Sequence, residues 1–391
     1  MDSYLEKYNL PINQQTLLRK LHQTQIISSD SCDNYSFCYQ YLYYFFVAKF
    51  LSEHIEKNKQ IIKSIINNLH KDENAYIALF ISHHSKNNYI LDEIVFNGLC
   101  LFEKFKPATL SKKELSFFDE QGEIIAKAVL PPKNLSPEKI RDERLKTQDV
   151  EEQVNFEENE QVEENDDLAI EFRRSIKTVE VMGRIIKNRA GSLEKPRLEL
   201  IFEEAMKINL RILTSFFDLI RDHENQQEIV DYISNRLNKI VEEKADKRKK
   251  DGKADKKISI EELKEISKKI FWNTNFFFVY SLINKIIHSV GSNQLTAIVE
   301  KVCDKENTPS SFLVKHGILM WFNKNLQIDN ISDIIEKDGF SETAKKMMRF
   351  LIVNHCSMHT LNFKDKQRIE HKFGIPSKRL LIQQVKHKEH E

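Results

Sequence analysis

Nine glycines and eight prolines in 391 residues are about two per cent each, where average usage is roughly seven and five per cent. Residues that break helices and build hairpins are therefore scarce, and the scarcity points to helices. The five cysteines (Cys32, Cys38, Cys100, Cys303, Cys356) are odd in number, scattered and without a CxxC pair. That pattern suits neither a disulfide framework nor a thiolate zinc site, and reduced thiols in a cytoplasm are the simpler reading. The N-terminus MDSYLEKYNL has no cationic segment followed by an apolar run, as a secretory signal would require. The net charge is only +1, so global electrostatics cannot hold the chain on nucleic acid or an anionic membrane; either would need a local patch.

Nucleotide and hydrolase signatures are lacking as well. No GxxxxGK[ST] occurs; the nearest approach, Gly252-Lys253-Ala254, has neither the upstream glycine nor the hydroxyl that would hold Mg²⁺. GxGxxG and GxSxG are absent too, so no cofactor is expected and an intrinsic NTPase or dehydrogenase is excluded as a reading. Two uncharged stretches, Tyr35 to Ala48 and Ile270 to Asn284, are shorter than the roughly 20 residues a bilayer requires. Both read as buried core helices.

What is present is repeated amphipathic helix. Gln14 to Ile27 spaces Leu17, Leu18, Leu21 and Ile26 as a helix face, with Pro11 well placed at its start. A polar segment and the extended Tyr35-Ser36-Phe37 follow, then a long aromatic run in which Tyr39, Tyr43 and Phe46 share one face and Leu42, Phe45 and Phe50 another. This helix is expected to be buried on more than one side. The order helix, turn, extended segment, helix is that of the end of a winged-helix domain. From Glu53 to about Leu130, segments of ten to fifteen residues with short joins point to stacked helix pairs, without a period that names a repeat class.

Pro131, Pro132 and Pro137 interrupt that pattern. Glu151 to Asp167 then carries nine carboxylates and no Lys or Arg, too little apolar surface to offset its ordering entropy, and is expected to be a flexible tether. Helical periodicity resumes near Leu168 and continues to the end, with Ser341 a good N-cap and a break at Gly374 and Pro376. The expected organisation is all-α: 1–52 a winged-helix remnant and aromatic linker helix, 53–130 a helical domain, 131–167 an acidic linker and 168–391 a C-terminal helical domain, giving helical-repeat-like bundles in two lobes.

Candidate chemistry is sparse. His355 and His359 stand four apart, a spacing that lets two histidines on one helix face share a metal. A zincin would place Glu after the first His, where this chain has Cys356, and the apolar Met347 to Val353 upstream gives the other reading, a core helix end with satisfied histidines. His83-His84 with Lys86 fits a helix end, and Cys303 near Lys301 reads as a reactive thiol or a small buried cysteine. Lys244 to Lys257 carries eight Lys or Arg against three Asp, read as a solvated helix or loop, an acidic-protein contact or a nucleic-acid contact. Interleaved aspartates and the lack of aromatics oppose the last.

Three blocks together resemble the C-terminal part of a bacterial STAND-type NTPase, the NACHT-like class used in antiphage defence. The first is Tyr35 to Ala48, with Tyr35, Phe37, Tyr41, Tyr43, Tyr44, Phe45 and Ala48 as its motif positions. The second is Thr178 to Leu193, with Gly183, Lys187, Asn188 and Gly191, followed by the Leu198 to Phe217 helix. The third is Arg349 to His355, with Asn354 and His355. At Arg189-Ala190 the family pattern has an aromatic pair instead. The resemblance implies a helical sensor that recognises a protein and releases an ATPase to oligomerise. With Met1 falling inside the winged helix, the ATPase core itself is expected to be missing, leaving a split-gene partner or the remnant of a disrupted gene. The expected role is non-enzymatic. Its partner would be a foreign protein or a separate ATPase subunit, with no nucleic acid and no membrane, and the oligomeric state stays open. The alternatives are an interaction protein directed at a host or other partner on the same scaffold, and a metal-dependent enzyme at His355 and His359.

Overall fold

The computed structural model describes residues 9, 11–32, 34–85, 87–121, 167–250, 259–336 and 339–376, with side chains omitted for 244–250. The prolines and acids of 131–166, the basic run at 251–257 and the tail after 376 lie outside the described residues. Those residues form an all-α fold with one two-stranded sheet. Compact units comprise Met1–Asn97 and Gly98–Glu391, a division that falls within a helix.

In the first unit, α1 (Gln14–Gln23) starts where the Asn13 side chain accepts a hydrogen bond from the Thr16 amide, one of the orphan donors of a helix start. Strands β1 (Ile27–Ser29) and β2 (Tyr35–Phe37) pair antiparallel, Ile27 opposite Phe37. The Asp30 carboxylate accepts from the Cys32 and Asn34 amides and from Asn34 Nδ2, closing the hairpin by the local side-chain bonding that suits Asp to turns. Next come α2 (Gln40–Glu53), α3 (Ile55–Asn67), α4 (Asp72–His84) and α5 (Tyr89–Cys100), the last crossing into the second unit. α2 packs mainly on α4. The contact is one stripe at helical spacing, Tyr44, Ala48 and Leu51, with Tyr44 stacked on Tyr76 at 6.0 Å between ring centroids.

The second unit begins with a strap, 101–121, that contains the short α6 (Ser116–Asp119). It is tied down by main-chain bonds from Ala108 N to Leu210 O, Ser310 N to Thr109 O and Lys112 N to Gly339 O. Over it and around it run α7 (Asp167–Asn188), α8 (Lys195–Arg221), α9 (His223–Lys250), α10 (Ile260–Val290), a 3-10 turn (Asn293–Leu295), α11 (Thr296–Glu306), α12 (Pro309–Phe322), α13 (Ile328–Ile335), α14 (Glu342–Met358) and α15 (Phe363–Phe373). α10 is the centre, packing on α7, α8, α9 and α12. Its start is a capping box, Ser259 with Glu262, and α12 opens on another, Thr308 with Ser311, with Pro309 where its missing N–H costs nothing. Ser341 accepts from the Ala344 amide, the cap expected of it. Gly374 closes α15 at φ 64°, a left-handed turn that favours glycine. Apolar burial runs unbroken along α10 from Phe271 to Val290, so the uncharged 270–284 stretch is a core helix, as expected. Among the described residues no helix is long and apolar enough to cross a membrane.

Candidate functional site

The aromatic helix α2 departs from its expectation of burial on more than one side. Only Tyr44, Ala48 and Leu51 are buried. Tyr39, Tyr41, Tyr43, Phe45, Phe46 and Phe50 are all exposed, Phe50 at 56%. The reason is geometric: α2 packs on α4 along a single line, and β2 reaches only its first turns through Phe37, stacked on Phe46 at 5.4 Å. An uncharged aromatic run is therefore a one-sided core contact with a wide aromatic outer face. Single exposed apolar side chains are ordinary, whereas six exposed aromatic residues on and beside one helix are not.

Part of that face is concave. Phe37, Tyr43, Phe46 and Phe50 form one wall of a groove of about 540 Å³. From α3 and α4 its lining takes the apolar Ile61, Ile65 and Ile77 and the polar Glu73 and Asn74. Glu73 alone is charged among the residues that line it. The first motif block thus divides by role. Tyr44 and Ala48 hold α2 on α4, while Tyr43 and Phe37 line the groove and Tyr35 and Tyr41 face outward. Phe45 turns its ring to Phe80 and His84. Sequence periodicity could not separate these, because every position from Tyr41 to Ala48 is aromatic or apolar. Glu73 has only the signal of an acid in the first turn of a helix.

The second block packs on the C-terminal end of α10, and the third reaches Tyr280 of α10 and the last turn of α12. A Cβ on Gly183 would overlap the Ser289 carbonyl oxygen of α10. Lys187 donates from Nζ to the His288 carbonyl at 2.6 Å, satisfying a helix-end acceptor where cations are favoured, and its ammonium lies 5.7 Å from the Phe322 ring centre. Asn354 donates to the Tyr280 hydroxyl at 2.6 Å. His355 Nδ1 lies 3.1 Å from the Met320 carbonyl; a carbonyl only accepts, so Nδ1 carries the proton. Asn188 ends α7, and Gly191 sits in the exposed turn that follows, with open space where a Cβ would be.

His355 is buried, and burial first, then the neighbouring His359, push its pKa down to about 4. The two rings are 4.7 Å apart. Among the described residues no group of three or more His, Cys, Asp or Glu is placed to hold a metal ion. Cys303 and Cys356 are buried thiols whose pKa burial raises to about 12, so little thiolate, the reactive form, is present near neutrality. His83 and His84 form the last turn of α4 as expected of a helix end. Of the basic segment, the part after residue 243 has no described side chains.

Among the described residues, an aromatic concave surface is thus built on α2 of an all-α chain. Residues 1–47 match the family of novel STAND NTPase 4, a span that runs through the hairpin and into the aromatic wall of the groove. Over those residues the chain is similar to STAND NTPases. No curated protein and no solved structure matches the chain.

Proposed function

We propose that this chain is a non-enzymatic helical sensor or scaffold that binds a protein partner, in the manner of the sensor half of a STAND NTPase in bacterial defence. One observation carries the reading. The segment similar to novel STAND NTPase 4 ends on the helix whose outer face exposes Tyr43, Phe46 and Phe50, so the related part of the chain supplies Phe37, Tyr43 and Phe46 of the contact surface. On this reading β1 and β2 are the wing of a winged helix, α2 is the linker helix behind it, and the helices of the second unit are the sensor. The partner is a foreign protein or an ATPase subunit encoded apart, and the site of action is the cytoplasm.

Two measurements test it. A phage panel is plated on a bacterial host expressing the chain together with its flanking genes. Protection against at least one phage is expected, with loss of protection in Phe46→Ser, Phe50→Ser at unchanged expression and circular dichroism. Protection that survives that double substitution, or the absence of any protection, sinks the assignment. Titration calorimetry with ATP and Mg²⁺ on the purified chain is expected to show no saturable binding, since the sequence has no GxxxxGK[ST] loop; micromolar binding would restore an enzymatic reading.

A further inference from the structure

The groove of the first unit has a chemical bias that goes beyond protein contact in general. Its lining combines the aromatic residues Phe37, Tyr43, Phe46 and Phe50 with Glu73, the one charged residue among those that line it. Ring faces attract cations through their quadrupole, arginine most often. An aromatic lining that holds a single carboxylate suits a positive side chain flanked by apolar ones.

Glu73 is exposed and makes no hydrogen bond or ion pair with the described residues. It is followed along α4 by no basic residue until the final turn, at His83 and His84. The helix dipole explains why an acid is tolerated at the start of α4, but it does not explain four aromatic residues lining the same groove. Tyr44, beneath the wall, has its pKa raised first by burial and then by the charges of Glu73 and Asp72. The groove volume of about 540 Å³ falls within the range that holds a few side chains.

Building on the partner-binding reading, we infer that this groove takes a partner segment that presents an arginine or lysine between apolar residues, the cation lying between the Phe46 and Phe50 rings and the Glu73 carboxylate. Apolar flanks fill the space over Ile61 and Ile77, and the cation sets the register. An acidic or uncharged segment of the same shape meets the same apolar floor without the charge-assisted contact.

The test uses the full chain, labelled for transverse-relaxation-optimised NMR, with three blocked peptides as probes: acetyl-Leu-Arg-Leu-amide, acetyl-Leu-Gln-Leu-amide and acetyl-Leu-Glu-Leu-amide. The arginine peptide is expected to bind about tenfold more tightly than the glutamate peptide, with amide shifts confined to 37–77. Glu73→Gln should reduce the arginine-over-glutamine preference to about twofold or less while leaving the glutamine peptide unchanged. Phe46→Ser should weaken all three. Equal binding of the three peptides overturns the inference, as do shifts outside 37–77 or no shift up to roughly 10 mM peptide. A dimer in sedimentation that Phe46→Ser dissolves would make a second copy the occupant, and would overturn it too. These failures leave phage protection and its loss in Phe46→Ser, Phe50→Ser untouched, so they separate the groove's chemistry from the broader assignment.

Discussion

Gly183 of α7 rests on the Ser289 carbonyl of α10, so closely that a Cβ would overlap both the oxygen and its carbon. These are backbone atoms, which cannot swing aside as the end of a flexible side chain can. One turn further on, Lys187 binds the adjacent His288 carbonyl, so two positions of one motif fix the same crossing. Helix propensity alone predicts that Gly183→Ala would stabilise α7 by about 1 kcal/mol. Overlap with a fixed backbone wins here, and a net loss of roughly 1–3 kcal/mol is expected. Urea denaturation followed by circular dichroism measures it, and an unchanged or raised midpoint would show that α7 and α10 can part at no cost.

A buried ion pair sets up the second prediction. Arg211 Nη2 donates to Glu204 Oε1 and to the Gly98 carbonyl, each at 2.7 Å, and both side chains are under a tenth exposed. Removing either partner strands a buried charge, so Glu204→Leu or Arg211→Met alone should cost about 3–5 kcal/mol. Arg211 Nε has no partner among the described residues, so the pair is incompletely satisfied. The double substitution should therefore recover most of the loss. A double-mutant cycle checks this; additive losses would mean that the two side chains do not act as a pair.

The helical class, the caps at Ser341 and Gly374 and the core helix over 270–284 were legible in the sequence because each rests on local chemistry or on periodicity. The convergence of Gly183, Lys187 and Asn354 on α10 was not, since it depends on how helices far apart in the chain cross. The aromatic helix misled for a related reason. Periodicity reports which positions can be buried, and in a run such as Tyr39 to Phe50 every face qualifies; only the single line of contact with α4 decides that Tyr44 is core and Phe50 is surface. Glu73 was invisible for the opposite reason, because an acid in a first helical turn needs no further explanation.

Acid sensitivity should follow from two buried histidines on α12 and α14. Burial, then the nearby Lys315 charge, lowers the pKa of His316 to about 3, and burial with His359 lowers that of His355 to about 4. Both folded-state values lie below the ordinary value near 6.5, so below that pH the unfolded chain binds more protons than the folded one. Stability is then complete above about pH 6.5 and is lost as pH falls towards 4, by roughly 2 kcal/mol per histidine at pH 5. Neither His316 ring nitrogen has a hydrogen-bond partner among the described residues, so His316→Phe removes the titration without orphaning a bond. It should flatten the fall in urea midpoint between pH 7.5 and 5 by about half. A wild-type midpoint independent of pH over that range would contradict the burial of both rings.

The last prediction contrasts two aromatic residues of one helix, and it bears on whether the α2 surface is a packing element or a contact element. Tyr44 is buried, stacked on Tyr76 across the α2 and α4 contact. Phe50 is more than half exposed, and its ring stacks on that of His54, four residues further along the chain. Truncating a buried aromatic removes its burial and leaves a cavity, so Tyr44→Ala should cost roughly 3 kcal/mol or more. Exposed positions carry little of the fold, and Phe50→Ser should change stability by less than about 0.5 kcal/mol. Hydrogen exchange of the α2 and α4 amides would report both: strong loss of protection for Tyr44→Ala, none for Phe50→Ser. The same Phe50→Ser chain should bind acetyl-Leu-Arg-Leu-amide more weakly, since its ring is part of the cationic site. If Phe50→Ser instead unfolded α2, its ring would belong to the core, and the groove would lose its claim to be a surface kept open for a partner.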